Sequence, residues 1–160
     1  MSIRASWEAL LDLALPQFCD GCDRPGPAPC ASCMQLLTTP LGLWLPTPTP
    51  AGLPTLAAAA PYDGPVRAML LAHKENGRLL LSAPLGAALA GAVLELPSLI
   101  AHASPLLLVP VPSARAAVRA RGHDHAFRLA RAAAGELRRR DVSASPARLL
   151  TAARRVEDQS

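Results

Sequence analysis

Four cysteines, Cys19, Cys22, Cys30 and Cys33, lie between residues 19 and 33, and the chain has no others. They form two Cys-x-x-Cys pairs separated by "DRPGPAP". A zinc ion takes four soft ligands in a tetrahedron, and two such knuckles supply two thiolates each. The connecting stretch is rich in Pro and Gly and needs no hydrogen-bonded structure of its own, which suits a loop that folds one knuckle onto the other. Asp20-Gly21 and Ala31-Ser32 are small enough to sit inside the knuckles. Two disulfides are the alternative in a secreted protein. A redox pair is a second one, but it asks for one Cys-x-x-Cys opening a helix after a strand and has no use for the other. Structural zinc is the favoured reading. It holds residues 17 to 35 together and performs no reaction.

The N-terminal stretch "MSIRASWEALLDLALPQF" has Glu8 and Asp12 inside its apolar run and no small-residue cleavage site after it. It does not read as a signal peptide, so the expected compartment is the cytoplasm, where thiols stay reduced. No apolar run approaches the roughly 20 residues of a membrane span. The net charge of +4 is unevenly spread. Residues 1 to 114 carry five basic and seven acidic side chains, whereas the remainder carries eleven arginines and five acids. Such a basic third favours an anionic partner: phosphate, nucleotide or nucleic acid. The competing explanation is a compositional preference for Arg and Ala, since Lys74 is the sole lysine.

Periodicity divides the chain into three parts. Residues 1–39 hold the cysteine module and, over 6–15, an amphipathic helix whose Trp7, Leu10, Leu11 and Ala14 share a face, with Ser6 able to cap it and Pro16 to end it. Residues 40–54 are thick with Pro and Thr and read as an extended linker. Residues 55–160 turn to an α/β pattern. A short apolar strand precedes a helix that begins at Pro65, carries Val66, Met69, Leu70 and His73 along one side, and stops at Gly77. A small-residued apolar helix is expected over 79–95. "PLLLVPVP" then reads as a parallel strand buried on both faces. A basic loop leads into a helix over 124–139, with Phe127, Ala130, Ala134 and Leu137 inward and Arg128, Arg131 and Arg138 outward. A last strand is expected near Arg148. This order argues for a mostly parallel sheet with ligand chemistry at the strands' carboxyl ends.

The segment with most chemical promise is 106–134. A strand ends in Pro-Val-Pro-Ser, a loop carries Arg115, Arg119 and Arg121, Gly122 permits a sharp turn, and a helix starts near Asp124. Guanidiniums and a helix N-terminus together could hold an anion. The plainer reading makes Arg119 and Arg121 solvated charges and Asp124 an N-cap.

Six motifs occur in a set order: the cysteine quartet, "YDGPVR" at 62–67, "HKENGR" at 73–78, "VPVPS" at 109–113, "RARGHDH" at 119–125 and "RRVEDQ" at 154–159. From about residue 9 onward this series resembles the ComF family of phosphoribosyltransferase-like proteins. The resemblance implies an N-terminal zinc ribbon followed by a type I phosphoribosyltransferase fold, Rossmann-like and mostly parallel. It also implies an association with DNA uptake during natural competence. In that fold the loop after the Pro-Val-Pro strand lies near the pyrophosphate of phosphoribosyl pyrophosphate (PRPP). This places Pro112, Ser113 and Arg115, with Arg119, Arg121 and Asp124 around them, on the PRPP side of the site, with Mg2+ accompanying PRPP in a full-length member. The resemblance assigns no catalytic residue. Where family members often carry an aromatic and then Asn-Gln after Arg-Gly, this chain has His123, Asp124 and His125.

Ribosyl-phosphate transfer also needs two adjacent carboxylates after a buried strand and a Thr/Gly-rich turn into a helix. The sole adjacent acidic pair is Glu157-Asp158, after "ARRV" and without a Thr-Thr-Gly behind it. The expectation is therefore the front part of a longer protein, a partial phosphoribosyltransferase-like domain that is inactive alone, poorly soluble or partly disordered. A non-catalytic zinc-ribbon module that binds single-stranded DNA, a protein or the DNA-uptake machinery is the alternative. Five aromatics, Trp7, Phe18, Trp44, Tyr62 and Phe127, are too few for an extensive base-stacking platform.

Overall fold

The computed structural model describes residues 17–102 and 105–152. The expected helix over 6–15 and the "RRVEDQ" segment lie outside them. Phe18 and Pro25 form a β-bridge at the base of the first cysteine knuckle, and the second knuckle runs into helix α1, Ala31–Gln35. Strands β1, Gly42–Leu43, and β2, Ala57–Ala58, pair antiparallel, with Gly42 opposite Ala58. The Pro/Thr-rich stretch thus doubles back on itself instead of running on as an extended tether.

Helix α2, Gly64–Glu75, has Pro in its first turn, where the missing N–H costs nothing. It ends where Gly77 takes a φ of +65°, a conformation that suits glycine. A 3-10 turn, Leu79–Leu81, feeds helix α3, Ser82–Leu94, so the single helix expected over 79–95 begins as a tighter turn. Helix α4, Pro97–His102, precedes strand β3, Leu106–Leu108. Helices α5, Arg115–Arg121, and α6, His125–Arg139, then lead to β4, Ala144–Pro146. β3 and β4 pair parallel in the register Leu106–Ala144, Leu107–Ser145 and Leu108–Pro146, closing a β–α–α–β unit.

Two clusters make up the core. Cys19, Cys33 and Leu37 of the cysteine module pack with Val66, Met69 and Ala72 of α2 and with Leu81, Leu85 and Ala88. Ala90 of α3 joins Leu106, Ala133, Ala134, Leu137 and Ala144 in the second. Helix α3 takes part in both, with Leu85 and Ala88 in the first and Ala90 in the second, and so links the cysteine module to the α/β unit. α6 buries Ala130, Ala133, Ala134 and Leu137 and turns Arg131 and Arg138 outward. This is the amphipathic pattern its sequence predicts.

Three expectations need correction. The described residues contain two two-stranded sheets, one of them antiparallel, in place of a mostly parallel sheet. The "LLLVPVP" strand is neither long nor buried on both faces. α3 and α6 cover the side of Leu106, while Leu107 is 48% and Val111 79% exposed. Pairing stops because Pro110 and Pro112 have no N–H to donate. The last strand begins at Ala144, not near Arg148; Leu149 and Leu150 follow it and are exposed. Mixed helix and sheet behind a four-cysteine cluster is what the structure shows.

Candidate metal centre

Each cysteine offers one Sγ, and all four Sγ atoms lie within 4.8 Å of one another. The Cys22 and Cys30 sulfurs are 3.7 Å apart. A disulfide needs about 2.05 Å, and all four cysteines are free. Four thiolates around a zinc at about 2.3 Å would stand roughly 3.8 Å from each other along the tetrahedron's edges. Both Cys19 and Cys33 are 2% exposed, whereas Cys22 and Cys30 are half-buried.

The surrounding backbone is shaped to these sulfurs. The amides of Gly21 and Cys30 donate to Cys19 Sγ at 3.4 and 3.2 Å. Gly21 has a second role: a β-carbon there would meet Cys33 Sγ at 2.9 Å and Met69 Cγ at 3.3 Å. Burial pushes the Cys19 thiol up, but the backbone amides of Cys30, Cys22 and Gly21 outweigh it and bring the pKa to about 6. Burial, then hydrogen bonds with Cys30, Cys19 and Cys22 and the charge of Cys19, drives the Cys33 thiol the other way, far up. Four crowded sulfurs of this kind call for a cation at their centre. Two acids adjoin the cysteines in sequence: Asp20 is held by Arg78 at 3.1 Å, and Asp23 is exposed and does not join the cluster. The donor set is therefore all thiol, which fits a closed, structural zinc site.

The arginine-rich segment is built differently from the expected loop. Residues 115–121 are helix α5, for which Arg and Ala are both good formers, and Gly122 ends it at a φ of +74°. Asp124 caps α6 by accepting from the Phe127 amide at 3.1 Å. The same carboxylate oxygen accepts from Ser113 Oγ at 3.1 Å, which fastens the end of the Pro-Val-Pro run to α6. Arg148 reaches the other oxygen at 3.4 Å and lies over the Phe127 ring, 3.9 Å from its centre. Arg121 folds back onto Glu75, with contacts of 3.1 and 3.2 Å. Arg115 and Arg119 are exposed on α5, and Pro112 is half-buried beside Ser113. Of the six residues expected around an anion, the structure brings Ser113 and Asp124 together and turns Arg121 to a carboxylate.

Sequence reading missed a histidine cluster between α2 and the α5–α6 turn. His73 is 1% exposed, and its Nε2 lies 2.9 Å from Ser82 Oγ. That hydroxyl donates to Leu79 O, so the imidazole must be the donor to it, and Nδ1 is left buried without a partner. Burial, followed by repulsion from His123, His125 and Arg128, lowers the His73 pKa to about 4. His125 is lowered too, by burial first and then by Arg121 and Lys74. For Glu75, burial raises the pKa, but Lys74 and Arg121 together hold it below its ordinary value. Helical spacing put His73 on the inward side of α2; nothing in the sequence pairs it with His123, whose ring meets it edge-on at 6.2 Å.

No family model, no curated protein and no solved structure matches this chain. Among the described residues, no helix is long and apolar enough to cross a membrane.

Proposed function

We propose that this chain is a ComF-like, phosphoribosyltransferase-type protein linked to DNA uptake, in which the cysteine quartet holds one structural zinc and the α/β unit supplies part of a PRPP-handling domain. The observation that carries this reading is the sulfur cluster packed on α2 and on α3, the helix that also packs against the α/β unit. The parallel β3–β4 pair supports it, with Ser113 and Asp124 just beyond the carboxyl end of β3. The sequence motifs supply the family, and with it the ligand class.

The zinc anchors and does not react. Closed four-thiolate sites leave no open position for substrate. Ribose and 5′-phosphate recognition needs paired acids followed by a Thr/Gly-rich turn, and no such series occurs in these 160 residues. The chain by itself should therefore leave PRPP with Mg2+ unbound. A product read through into any downstream segment carrying that series should bind it.

Metal analysis and a PRPP titration of both products test the reading. One zinc per chain, with PRPP binding only by the longer product, supports it. Well under one zinc per chain, or a longer product blind to PRPP, would overturn it. A non-catalytic nucleic-acid module is favoured by Arg115, Arg119 and Arg131, which are exposed and have no acidic partner among the described residues. Tight, salt-sensitive binding of a single-stranded oligonucleotide by the 160-residue chain would select that alternative.

A further inference from the structure

Solvent does not see the four sulfurs alike. Cys19 and Cys33 are buried and belong to the first core cluster, with Val66, Met69 and Ala72 of α2. Cys33 Sγ leaves no room for a β-carbon on Gly21, and Cys19 Sγ accepts from two backbone amides. Cys22 and Cys30 are half-buried and pack against that cluster from its rim. They flank the loop 23–29, in which Asp23, Arg24, Pro25 and Pro27 are exposed. Burial thus divides the quartet into a deep pair and a rim pair, each with one cysteine from either knuckle.

We propose that Cys22 and Cys30 are an oxidation site, where an oxidant of the hydroperoxide class joins them as a disulfide and so releases the metal, while Cys19 and Cys33 stay thiols. This rests on the zinc reading of the quartet and is independent of PRPP. Thiolates held by a metal are all ionised, so exposure decides which of them an oxidant reaches first. Closing the rim pair from 3.7 Å to a bond of about 2.05 Å asks each sulfur to move by about 0.8 Å. The deep pair is held in place by the core and need not move. One peroxide balances the step. A rim thiolate attacks one peroxide oxygen, the O–O bond breaks and hydroxide leaves, giving a sulfenic acid. The other rim thiolate attacks that sulfur, the S–O bond breaks and a second hydroxide leaves. Two electrons have passed from the sulfurs to the peroxide. Zinc then keeps only Cys19 and Cys33, half of a closed donor set. Its loss loosens the cysteine module from α2, since the deep pair packs there. A dithiol reductant reopens the bond by exchange, and zinc returns.

The zinc-loaded 160-residue chain, treated with one equivalent of hydrogen peroxide beside a chromogenic chelator, tests this. Free thiols are alkylated, disulfides are then reduced, and the thiols so freed take a second label. Cleavage before Asp20 and Asp23 puts Cys19, Cys22 and the Cys30–Cys33 stretch on separate peptides for mass spectrometry. Two thiols should be lost per zinc released, and Cys22 and Cys30 should carry the second label several-fold more than Cys19 and Cys33. Dithiothreitol with added zinc should restore the starting zinc content. The same oxidation in urea, with the metal chelated, should give mixed pairings, because loop closure and not burial then decides. A bond between Cys19 and Cys33, bonds within each knuckle, or one pairing shared by the folded and the unfolded chain would overturn the inference and leave the zinc reading intact. A purified chain with well under one zinc would sink both.

Discussion

Gly86 of α3 meets Ala132 of α6 with no room for a side chain: a β-carbon on the glycine would run into that of Ala132 and stand 3.0 Å from its backbone carbon and from the Ala133 nitrogen. Backbone atoms cannot swing aside as a flexible side chain can. Gly86→Ala therefore pushes the two helices apart, despite the roughly 1 kcal/mol that alanine gains in a helix interior. A net loss of about 1–3 kcal/mol is expected, as for overpacked cores. Gly135→Ala on α6 is the control, because the nearest atoms are the flexible ends of Arg138 and Arg139, both at 3.9 Å. That variant should gain about 0.5–1 kcal/mol. Urea melts of the two variants against the parent should show opposite signs.

The cysteine quartet should respond unequally to substitution. Cys33 is buried among Gly21, Met69 and the core of α2 and α3, whereas Cys22 is half-buried at the rim. Cys33→Ser removes a ligand and leaves a hydroxyl in an apolar site, so it should abolish stoichiometric zinc and cost several kcal/mol, on the order of the largest single-residue effects. Cys22→Ser should also lose zinc but unfold less of the chain. Gly21→Ala keeps all four sulfurs and crowds Cys33 Sγ at 2.9 Å. It should weaken zinc by about 10–100-fold, the range seen when a ligand's supporting contacts are disturbed. Competition with a chromogenic chelator measures each.

Asp124 tests the plain reading of the arginine segment. Its carboxylate caps α6 and holds Ser113. Asp124→Ala should cost about 1–2 kcal/mol, the usual worth of an N-cap. Asp124→Asn keeps an oxygen for the Phe127 amide and loses only a charge contact to the exposed Arg148, so it should cost less than half as much. Equal losses in the two variants would mean that the charge, not the cap, is what matters there.

The cysteine site was legible because metal ligation is local: four ligands in one short stretch leave the chain little freedom. Helix limits were legible for a similar reason at Pro65, Gly77 and Asp124, which act on their own backbone. The failures are non-local. Nothing in "RAAVRAR" separates a solvated loop from a helix, because Arg and Ala serve both. Whether Leu107 and Val111 are covered depends on which elements lie alongside β3, and periodicity carries no such information. The Arg121–Glu75 pair joins residues 46 positions apart, and Arg148 reaches Asp124 across 24. Such pairings follow from topology, and no local motif announces them.

His73 should make stability fall in acid. In the folded chain its pKa is about 4 against an ordinary 6.5, because the charged form would be buried and would face His123, His125 and Arg128. The unfolded state therefore binds the proton first. Stability from this group is fully present above pH 6.5, declines as the pH drops through the interval, and is lost below about 4. The interval corresponds to about 3 kcal/mol, at 1.36 kcal/mol per pH unit. His73→Leu removes the titration and the bond to Ser82 Oγ, whose hydroxyl keeps its acceptor at Leu79 O. At pH 7.5 the variant should lie within about 1 kcal/mol of the parent. At pH 4.5 it should be the more stable of the two. Zinc thiolates also protonate in acid, but they do so in both proteins, so the difference between paired urea melts isolates His73. Parallel pH profiles for parent and variant would show that the buried imidazole is not the acid-sensitive group.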